Sequence, residues 1–333
     1  MFRARIIGTG STTPKRILTN VDLEKIVDTS DEWITRRTGI KERRIAQKGE
    51  GENAFDLASD ASLKALEMAK VSPDELDLII VGTITPDRQF PAVACLVQNK
   101  INADNANAFD VSAGCSGFLY ALSIAENAIA VGSCKKALVI GAERLSSVAN
   151  WQDRSTCVLL GDGAGVVVLS QADDDNGILS THLGSDGRCW ELLYSEEGNP
   201  DPPKILDAFE GKPYFLAMEG NKLFKKAVRH LADVATKALE HNNLSTSDIK
   251  LVVPHQANIR IIQALAEKIS IPMEKVYTNI HKYGNTSSAS IPIALDEANR
   301  EGLLQPGDII LLVTFGAGLT WGASVVRWSL DIS

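Results

Sequence analysis

The chain has 333 residues, 44% of them hydrophobic and 23% charged, with a net charge of −8. This is an ordinary globular composition with room for a sizeable core, in about two domains or one large α/β unit, and its negative balance argues against general nucleic-acid binding. No stretch reaches the roughly 18 apolar residues that span a bilayer, and "MFRARIIGTGSTTP" lacks the apolar segment of a signal peptide, so the expected setting is cytoplasmic with no membrane contact.

In chain order, "AFDLASDASLKALEMAK" (54–70) carries apolar residues at helical spacing, and "LDLIIVGT" (76–83) is a β-branched run suited to a buried strand. "NAFDV" (107–111) reads as a strand and "SGFLYALSIAENAIAVG" (116–132) as a helix, apolar on almost every side and therefore buried. "KALVIGAE" (136–143) and "AGVVVLS" (164–170) are two more strands, followed by the acidic turn "QADDDNG". Residues 195–215 hold four of the twelve prolines and read as an irregular surface excursion. "GNKLFKKAVRHLADVATKALEHN" (220–242) is an amphipathic helix, and "IKLVVPHQ" (249–256) is a strand before the helix "ANIRIIQALAEKIS" (257–270). "YGNTSSASIPIAL" (283–295) runs from small residues into an apolar helix, and "DIILLVTFGAG" (308–318) and "GASVVRWS" (322–329) close the chain as strands. Strands alternating with helices predict a layered, mainly parallel α/β fold.

The two halves echo each other. The strand around Val81 is followed 34 residues later by Cys115 and 24 residues after that by the strand around Val139; the strand around Val252 is followed 33 residues later by Asn285 and 27 residues after that by the strand around Leu312. One repeat of half the chain predicts a duplicated α/β unit with a pseudo-twofold axis, divided near residue 172 into 1–172 and 173–333.

Five cysteines (Cys95, Cys115, Cys134, Cys157 and Cys189) occur without a CxxC, which gives neither a disulfide framework nor a zinc site. Cys115 stands out by its setting at a helix start, where unpaired N–H groups and the positive dipole end favour a thiolate, with Gly114 and Gly117 leaving space for a ligand. Its local context fits a nucleophile or a small residue in a crowded turn equally well. Among the five histidines, His182, His230 and His241 lie in polar or surface-like contexts, and His281 sits in a loop; His255 ends a strand, where α/β folds place their sites. Asn285 occupies in the second half the slot of Cys115 in the first, so a twofold would bring Cys115, His255 and Asn285 into one cleft. "TFGAGLTWGA" (314–323) adds a glycine-rich strand exit able to aim N–H groups at an oxyanion. "GTGSTTP" and "GDGAG" fit neither a dinucleotide fingerprint nor a P-loop, and HExxH is absent.

Seven ordered stretches, "VDTSDEWITRRTGIKER", "FPAVACLVQ", "DVSAGCSGF", "WQDRSTCVLLGDGAG", "PHQANIRII", "GNTSSASIPIAL" and "TFGAGLTWGA", resemble the β-ketoacyl-[acyl carrier protein] synthase III family over nearly the whole chain. The resemblance implies a thiolase-like duplicated five-layer αβαβα fold. It implies an acyltransferase that condenses acetyl-CoA or another short acyl-CoA with malonyl-[acyl carrier protein], with loss of CO2, through an acyl-Cys115 intermediate. His255 and Asn285 would complete the catalytic trio, the N–H groups of Cys115 and Ala317 would form the oxyanion hole, and Phe315 would wall the site. Thr29, Trp33, Arg37, Arg154, Gly220 and Asn258 would bind CoA, with adenine between Trp33 and Arg154. Gln256, Ala257, Asn258, Ile259, Arg260, Lys225 and Lys268 would receive the acidic carrier protein. The family is homodimeric, with Phe90 reaching the partner's acyl pocket, and the resemblance implies no metal and no cofactor beyond the substrates. The alternatives are a specialised relative loading a different starter and a non-catalytic subunit of a condensing complex. The latter is disfavoured because the trio is intact.

Overall fold

The structure is a computed structural model; it describes residues 2–47, 49–172, 174–198 and 211–331. The first half contributes β1 (Arg3–Thr12), β2 (Ile17–Thr19), α1 (Asn20–Leu23), α2 (Asp31–Thr38), β3 (Glu42–Arg44), α3 (Ala54–Ala69), β4 (Leu78–Gly82), α4 (Val93–Ile101), β5 (Asn107–Val111), α5 (Gly117–Ala130), β6 (Lys136–Arg144) and β7 (Asp162–Ala172). The second contributes β8 (Gly177–Ser185), β9 (Leu193–Glu197), β10 (Tyr214–Met218), α6 (Gly220–His241), β11 (Ile249–Pro254), α7 (Ile259–Lys268), α8 (Ile280–Tyr283), α9 (Ser290–Arg300), β12 (Ile309–Gly316) and β13 (Thr320–Arg327).

One main sheet has the order β1-β7-β6-β4-β5 and the other β8-β13-β12-β11, extended by a parallel bridge from Val252 to Val276. The orders match strand for strand. The repeat predicted from the spacing of Cys115 and Asn285 is thus present in the connectivity, and the expected boundary near 172 lies between β7 and β8. The pairing is mixed rather than mainly parallel: β4 with β5, β4 with β6 and β11 with β12 are parallel, whereas β1–β7, β6–β7, β12–β13 and β8–β13 are antiparallel. The cause in the second sheet is a short link, Ala317–Gly318–Leu319, which returns β13 directly along β12 where a parallel strand would need a long crossover.

Alternate residues of the buried strands serve different layers. Ile79, Val81, Leu138 and Ile140 face α3 and α4 on one outside, and Val252, Leu311 and Val313 face α6 and α7 on the other. Leu78, Ile80, Val139, Leu251, Val253 and Leu312 face inward onto Phe118, Leu122, Ile291 and Leu295 of α5 and α9. The result is five layers, helix–sheet–helix–sheet–helix, with α5 and α9 sandwiched in the middle. A fourth cluster, including Leu18, Ile34, Leu145, Val148 and Leu160, caps one end.

Two expectations change. Helix α5 is not buried all round, because Ile124 and the cap residue Val131 are exposed. The excursion at 195–215 is not wholly irregular: its described ends belong to β9 and β10, which pair antiparallel from Tyr214–Glu197 to Met218–Leu193, while residues 199–210 lie outside the described residues. None of the described helices is long and apolar enough to cross a membrane.

Candidate active site

The strand ends and the starts of the two central helices open into one cavity of about 1160 Å³. Cys115, His255 and Asn285 all line it, as do Phe315, Ala317, Trp33, Arg37, Arg154, Gly220, Ala257, Asn258, Arg260 and Lys225. The hairpin β9–β10, which flanks the proline-rich stretch and overlaps only its ends, supplies another wall through Tyr194, Tyr214, Leu216 and Met218. Thr29, Gln256, Ile259, Lys268 and Phe90 do not line the cavity.

Cys115 follows β5 and precedes Ser116, the N-cap of α5. Gly114 turns the chain at φ +57, a conformation that L side chains rarely adopt, and a Cβ there would meet the Ala317 backbone nitrogen at 2.7 Å. Gly316 is equally constrained by contact, since its Cβ would lie 2.5 Å from the Cys115 nitrogen. Gly117 has a different task from the one expected. It packs backbone to backbone against Gly82 of β4, so it seats α5 on the sheet rather than clearing space for a ligand. These contacts set the Cys115 and Ala317 backbones side by side, and neither N–H has a backbone acceptor among the described residues. Ala317 is not at positive φ, so alanine holds this position without strain.

The thiol itself departs from expectation. Burial pushes Cys115 up to about 12, and the fully buried Glu143 carboxyl pushes the same way. The dipole of α5 opposes this, but a helix end contributes at most about 2 kcal/mol, or about 1.5 pH units, so it offsets only part. Cys115 therefore rests as a thiol. Ser287 is the counterweight that the sequence did not single out. Its buried hydroxyl makes no regular hydrogen bond and lies against both Cys115, where it favours the thiolate, and the Glu143 carboxyl, and its backbone is held at φ +49 in the left-handed region.

Asn285 is fixed by its own loop. Its N–H donates to the Leu159 carbonyl at 2.7 Å, and its carbonyl accepts from Gly161 at 2.9 Å. Its side-chain Oδ1 accepts from the Ser287 N–H at 2.8 Å, which leaves the Nδ2 amine as the end available to a ligand. His255 is anchored by its N–H to the Val313 carbonyl at 2.8 Å, and its Nδ1 lies 2.6 Å from Ser290 Oγ at the start of α9. Burial holds the imidazole down at about 3, so it is neutral at physiological pH. Behind the Phe315 wall, His230 stacks on Trp321 with ring centroids 4.0 Å apart, which places this histidine deeper than its surface-like sequence context suggested.

The depressed His255 value makes a stability prediction. Below about 6.5 the unfolded chain takes up a proton that the folded site refuses, so stability contributed by neutral His255 is full above 6.5 and is lost as pH falls toward 3. The loss runs at about 1.4 kcal/mol per pH unit. Urea unfolding from pH 7.5 down to 4.5 is expected to show a shallower slope in His255→Asn than in the wild type; equal slopes would mean that His255 titrates normally.

At the outer end, Arg37 lies over the Trp33 ring at 4.9 Å and Arg154 at 5.3 Å. Stacking a purine between Trp33 and Arg154 needs about 7 Å, two contact distances of about 3.5 Å, so Arg154 has to lift away to admit one. Its contacts with the Asp28 carbonyl at 2.7 Å and carboxylate at 3.3 Å are exposed and are readily exchanged. Asn258 spends its Oδ1 capping α7 through the Arg260 N–H at 2.9 Å. Thr29 has a buried hydroxyl without a partner. Gln256, expected on the carrier-protein surface, is turned inward: Nε2 donates to the Pro254 and Tyr277 carbonyls, Oε1 accepts from Asn279, and only 1% of the residue is exposed. Arg260, Lys225 and Lys268 are exposed, whereas Lys222 and Arg229 are engaged by Glu219 and Asp233.

Residues 109–187 match the family model of 3-oxoacyl-[acyl-carrier-protein] synthase III, and residues 239–328 match the model of that enzyme's C-terminal part. The chain is 52% identical over 326 residues to a β-ketoacyl-[acyl-carrier-protein] synthase III of Caldanaerobacter subterraneus, covering 98% of each sequence. It superposes on the crystal structure of 3-oxoacyl-[acyl-carrier-protein] synthase III from Aquifex aeolicus with a TM-score of 0.90 and 52% identity, over 98% of this chain and 100% of that one. The priming β-ketosynthase of the R1128 polyketide pathway has a TM-score of 0.91 at 36% identity, over 98% of this chain and 96% of that one.

Proposed function

The chain belongs to the 3-oxoacyl-[acyl-carrier-protein] synthase III family, and from that membership we propose how its residues divide the work. It is an acyltransferase of fatty-acid biosynthesis that condenses an acyl-CoA with malonyl-[acyl carrier protein]. Acetyl-CoA is the primer we assign. The sequence is 52% identical to curated synthases III but 36% identical to the priming polyketide enzyme, which favours the initiating step of fatty-acid synthesis over a specialised starter.

The observation that carries the site assignment is the convergence of Cys115, His255 and Asn285, from two sheet ends and two helix starts, on one cavity. In the first half-reaction the Cys115 sulfur attacks the thioester carbonyl while the N–H groups of Cys115 and Ala317 receive the developing oxyanion. The acyl group moves to Cys115, and the thiol proton leaves on the CoA sulfur, so free CoA departs. In the second, malonyl-[acyl carrier protein] loses CO2, and its thioester oxygen takes up the enolate charge between the Asn285 Nδ2 amine and the neutral His255 ring. The buried Phe315 wall disfavours the malonyl carboxylate and favours neutral CO2. The enolate carbon attacks acyl-Cys115, giving β-ketoacyl-[acyl carrier protein], and the released thiolate takes one proton to return to a thiol.

Trp33, Arg37, Arg154, Gly220 and Asn258 line the CoA entrance, while Thr29, whose hydroxyl is buried, stands outside the cavity lining. The acidic carrier protein docks on Arg260 and Lys225 at the mouth, with Lys268 beyond, a local positive surface on a chain of net charge −8. Ala257 lines that mouth, and Ile259 packs behind it against Gly39. The active form is a homodimer, and within each chain the halves 1–172 and 173–333 are the repeating units. Supporting the dimer, Phe90 is 82% exposed, and the edge strand β5 and helix α5 present Phe109, Ile124 and Val131 to the outside.

The test is incubation with labelled acetyl-CoA in the absence of a malonyl partner. One acetyl group per chain is expected on the Cys115 peptide, and it should transfer to product when malonyl-[acyl carrier protein] is added. A protein left unlabelled, or labelled at another residue, would overturn the assignment.

A further inference from the structure

Ser290 sits at the start of α9, 2% exposed, and plays no part in the scheme above. Two groups meet its hydroxyl oxygen. The Gln256 N–H lies at 3.3 Å and can only donate. The His255 Nδ1 lies at 2.6 Å and can do either, depending on its tautomer. The hydroxyl carries one proton of its own, and among the described residues no other acceptor is within reach of it. If Nδ1 carried the proton, Ser290 would receive two donors and hold its own hydrogen against a buried surface with nowhere to place it, which costs a hydrogen bond's full desolvation. If Nδ1 is the bare nitrogen, every proton finds an acceptor: Gln256 N–H to Ser290 Oγ, and Ser290 O–H to His255 Nδ1.

We propose that Ser290 is a positioning residue that fixes His255 as the Nε2–H tautomer, so that the ring presents a donor to the cavity. The inference rests on the assignment of His255 as donor to the malonyl thioester oxygen, which only that tautomer can perform without a net charge. The device has the same form as the one at Asn285, where the Ser287 N–H occupies Oδ1 and leaves the amine facing the cavity. Both serines belong to one segment, "NTSSAS", so a single loop orients both donors. Burial keeps His255 neutral, so one of its ring nitrogens is bare, and Ser290 decides which: a proton at Nδ1 would turn the Ser290 hydroxyl away from the one acceptor it has among the described residues.

Nitrogen NMR of the 15N-histidine-labelled protein tests the proton placement directly, with His255→Asn used to assign the signal among the five histidines. In the wild type the His255 Nδ1 is expected to resonate as a non-protonated nitrogen and Nε2 as a protonated one; the reverse pattern overturns the proposal whatever the enzyme does. Ser290→Ala is expected to lose that uniform pattern. It should slow malonyl decarboxylation and condensation about tenfold, the weight of one hydrogen bond, in kcat with little change in KM. Acetyl transfer to Cys115 should stay within about twofold, since no donor role of His255 enters it. Ser290→Thr, which keeps the hydroxyl, should restore both the spectrum and the rate; a threonine variant that folds but stays as slow as alanine counts against the proposal. If the spectra change as expected while decarboxylation does not, Ser290 sets the tautomer and the assigned role of His255 is the part that fails.

Discussion

Cys115→Ala is expected to form no acyl-enzyme and to lose condensation by roughly 10⁴-fold or more, while it continues to release CO2 from malonyl-[acyl carrier protein]. The two effects separate because they use different atoms. Acyl transfer needs the sulfur, and among the cysteines only Cys115 lines the cavity; Cys134 and Cys157 are buried elsewhere, and Cys95 and Cys189 do not reach it. Decarboxylation needs donors at the thioester oxygen and an apolar wall at the carboxylate, roles that the proposed scheme gives to Asn285, His255 and Phe315, which all line the cavity. Removing one sulfur leaves the backbone that frames it in place, because Thr314 still donates to the Cys115 carbonyl at 3.1 Å and the contact with Gly316 is through main chain. Cys115 rests as a neutral thiol, so alanine removes no charge from the fold, and losing one small sulfur should cost no more than about 1 kcal/mol of stability. The measurement is product formation and CO2 release side by side. Condensation surviving above about one hundredth of the wild-type rate would remove Cys115 from the nucleophile's role, because a residual of that size exceeds what binding and an oxyanion hole supply without a nucleophile.

Much of this site was legible in the order of residues along the chain. Buried strands announce themselves as β-branched runs, and a half-chain repeat is visible once Cys115 and Asn285 are seen to hold the same offset from those strands. That offset carried the argument, since a cysteine at a helix start has a bland explanation and a partner in the twin position does not. What stayed hidden was set by side chains meeting across the two halves. Ser287 and Ser290 are two small residues in a run of them; only the fold shows one lying against Cys115 and the other against His255. Gln256 belongs to a surface-like motif, yet it faces inward because Pro254, Tyr277 and Asn279 need its amide. The direction of the thiol's shift is hidden from the sequence for the same reason. A helix N-terminus is visible in sequence, whereas the burial of the thiol and the effect of the Glu143 carboxyl, on β6 and separated from β5 by β4, depend on the strand order. The wall made by β9 and β10 was masked by prolines, which mark irregular chain but do not say what the flanking residues cover.

Replacing the two donors gives the second large effect. His255→Ala and Asn285→Ala are each expected to slow malonyl decarboxylation by about 10²–10³, the usual weight of one oxyanion donor in a dry site. The double variant should lose less than the product of the two, because both act on one oxygen and the second loss removes support from a transition state already reaching for water. The first half-reaction distinguishes them. Among the described residues the hydrogen bonds of His255 run to Val313 and Ser290, neither of which bonds Cys115, so His255→Ala should acetylate Cys115 at close to the wild-type rate. Asn285 does more than donate: its Oδ1 receives the Ser287 N–H at 2.8 Å, and Ser287 is kept at φ +49 with its hydroxyl against the Cys115 sulfur. Without that acceptor the left-handed turn costs about 1–2 kcal/mol with no bond to hold it, and the serine drifts from the thiol. Asn285→Ala is therefore expected to slow acetylation as well, by about tenfold, the weight of a hydrogen bond to a developing thiolate. Single-turnover acetylation followed by mass spectrometry reads this directly. Equal acetylation rates in the two variants would mean that the Asn285–Ser287 bond does not reach the nucleophile, and that the trio acts as two independent sites sharing a cavity.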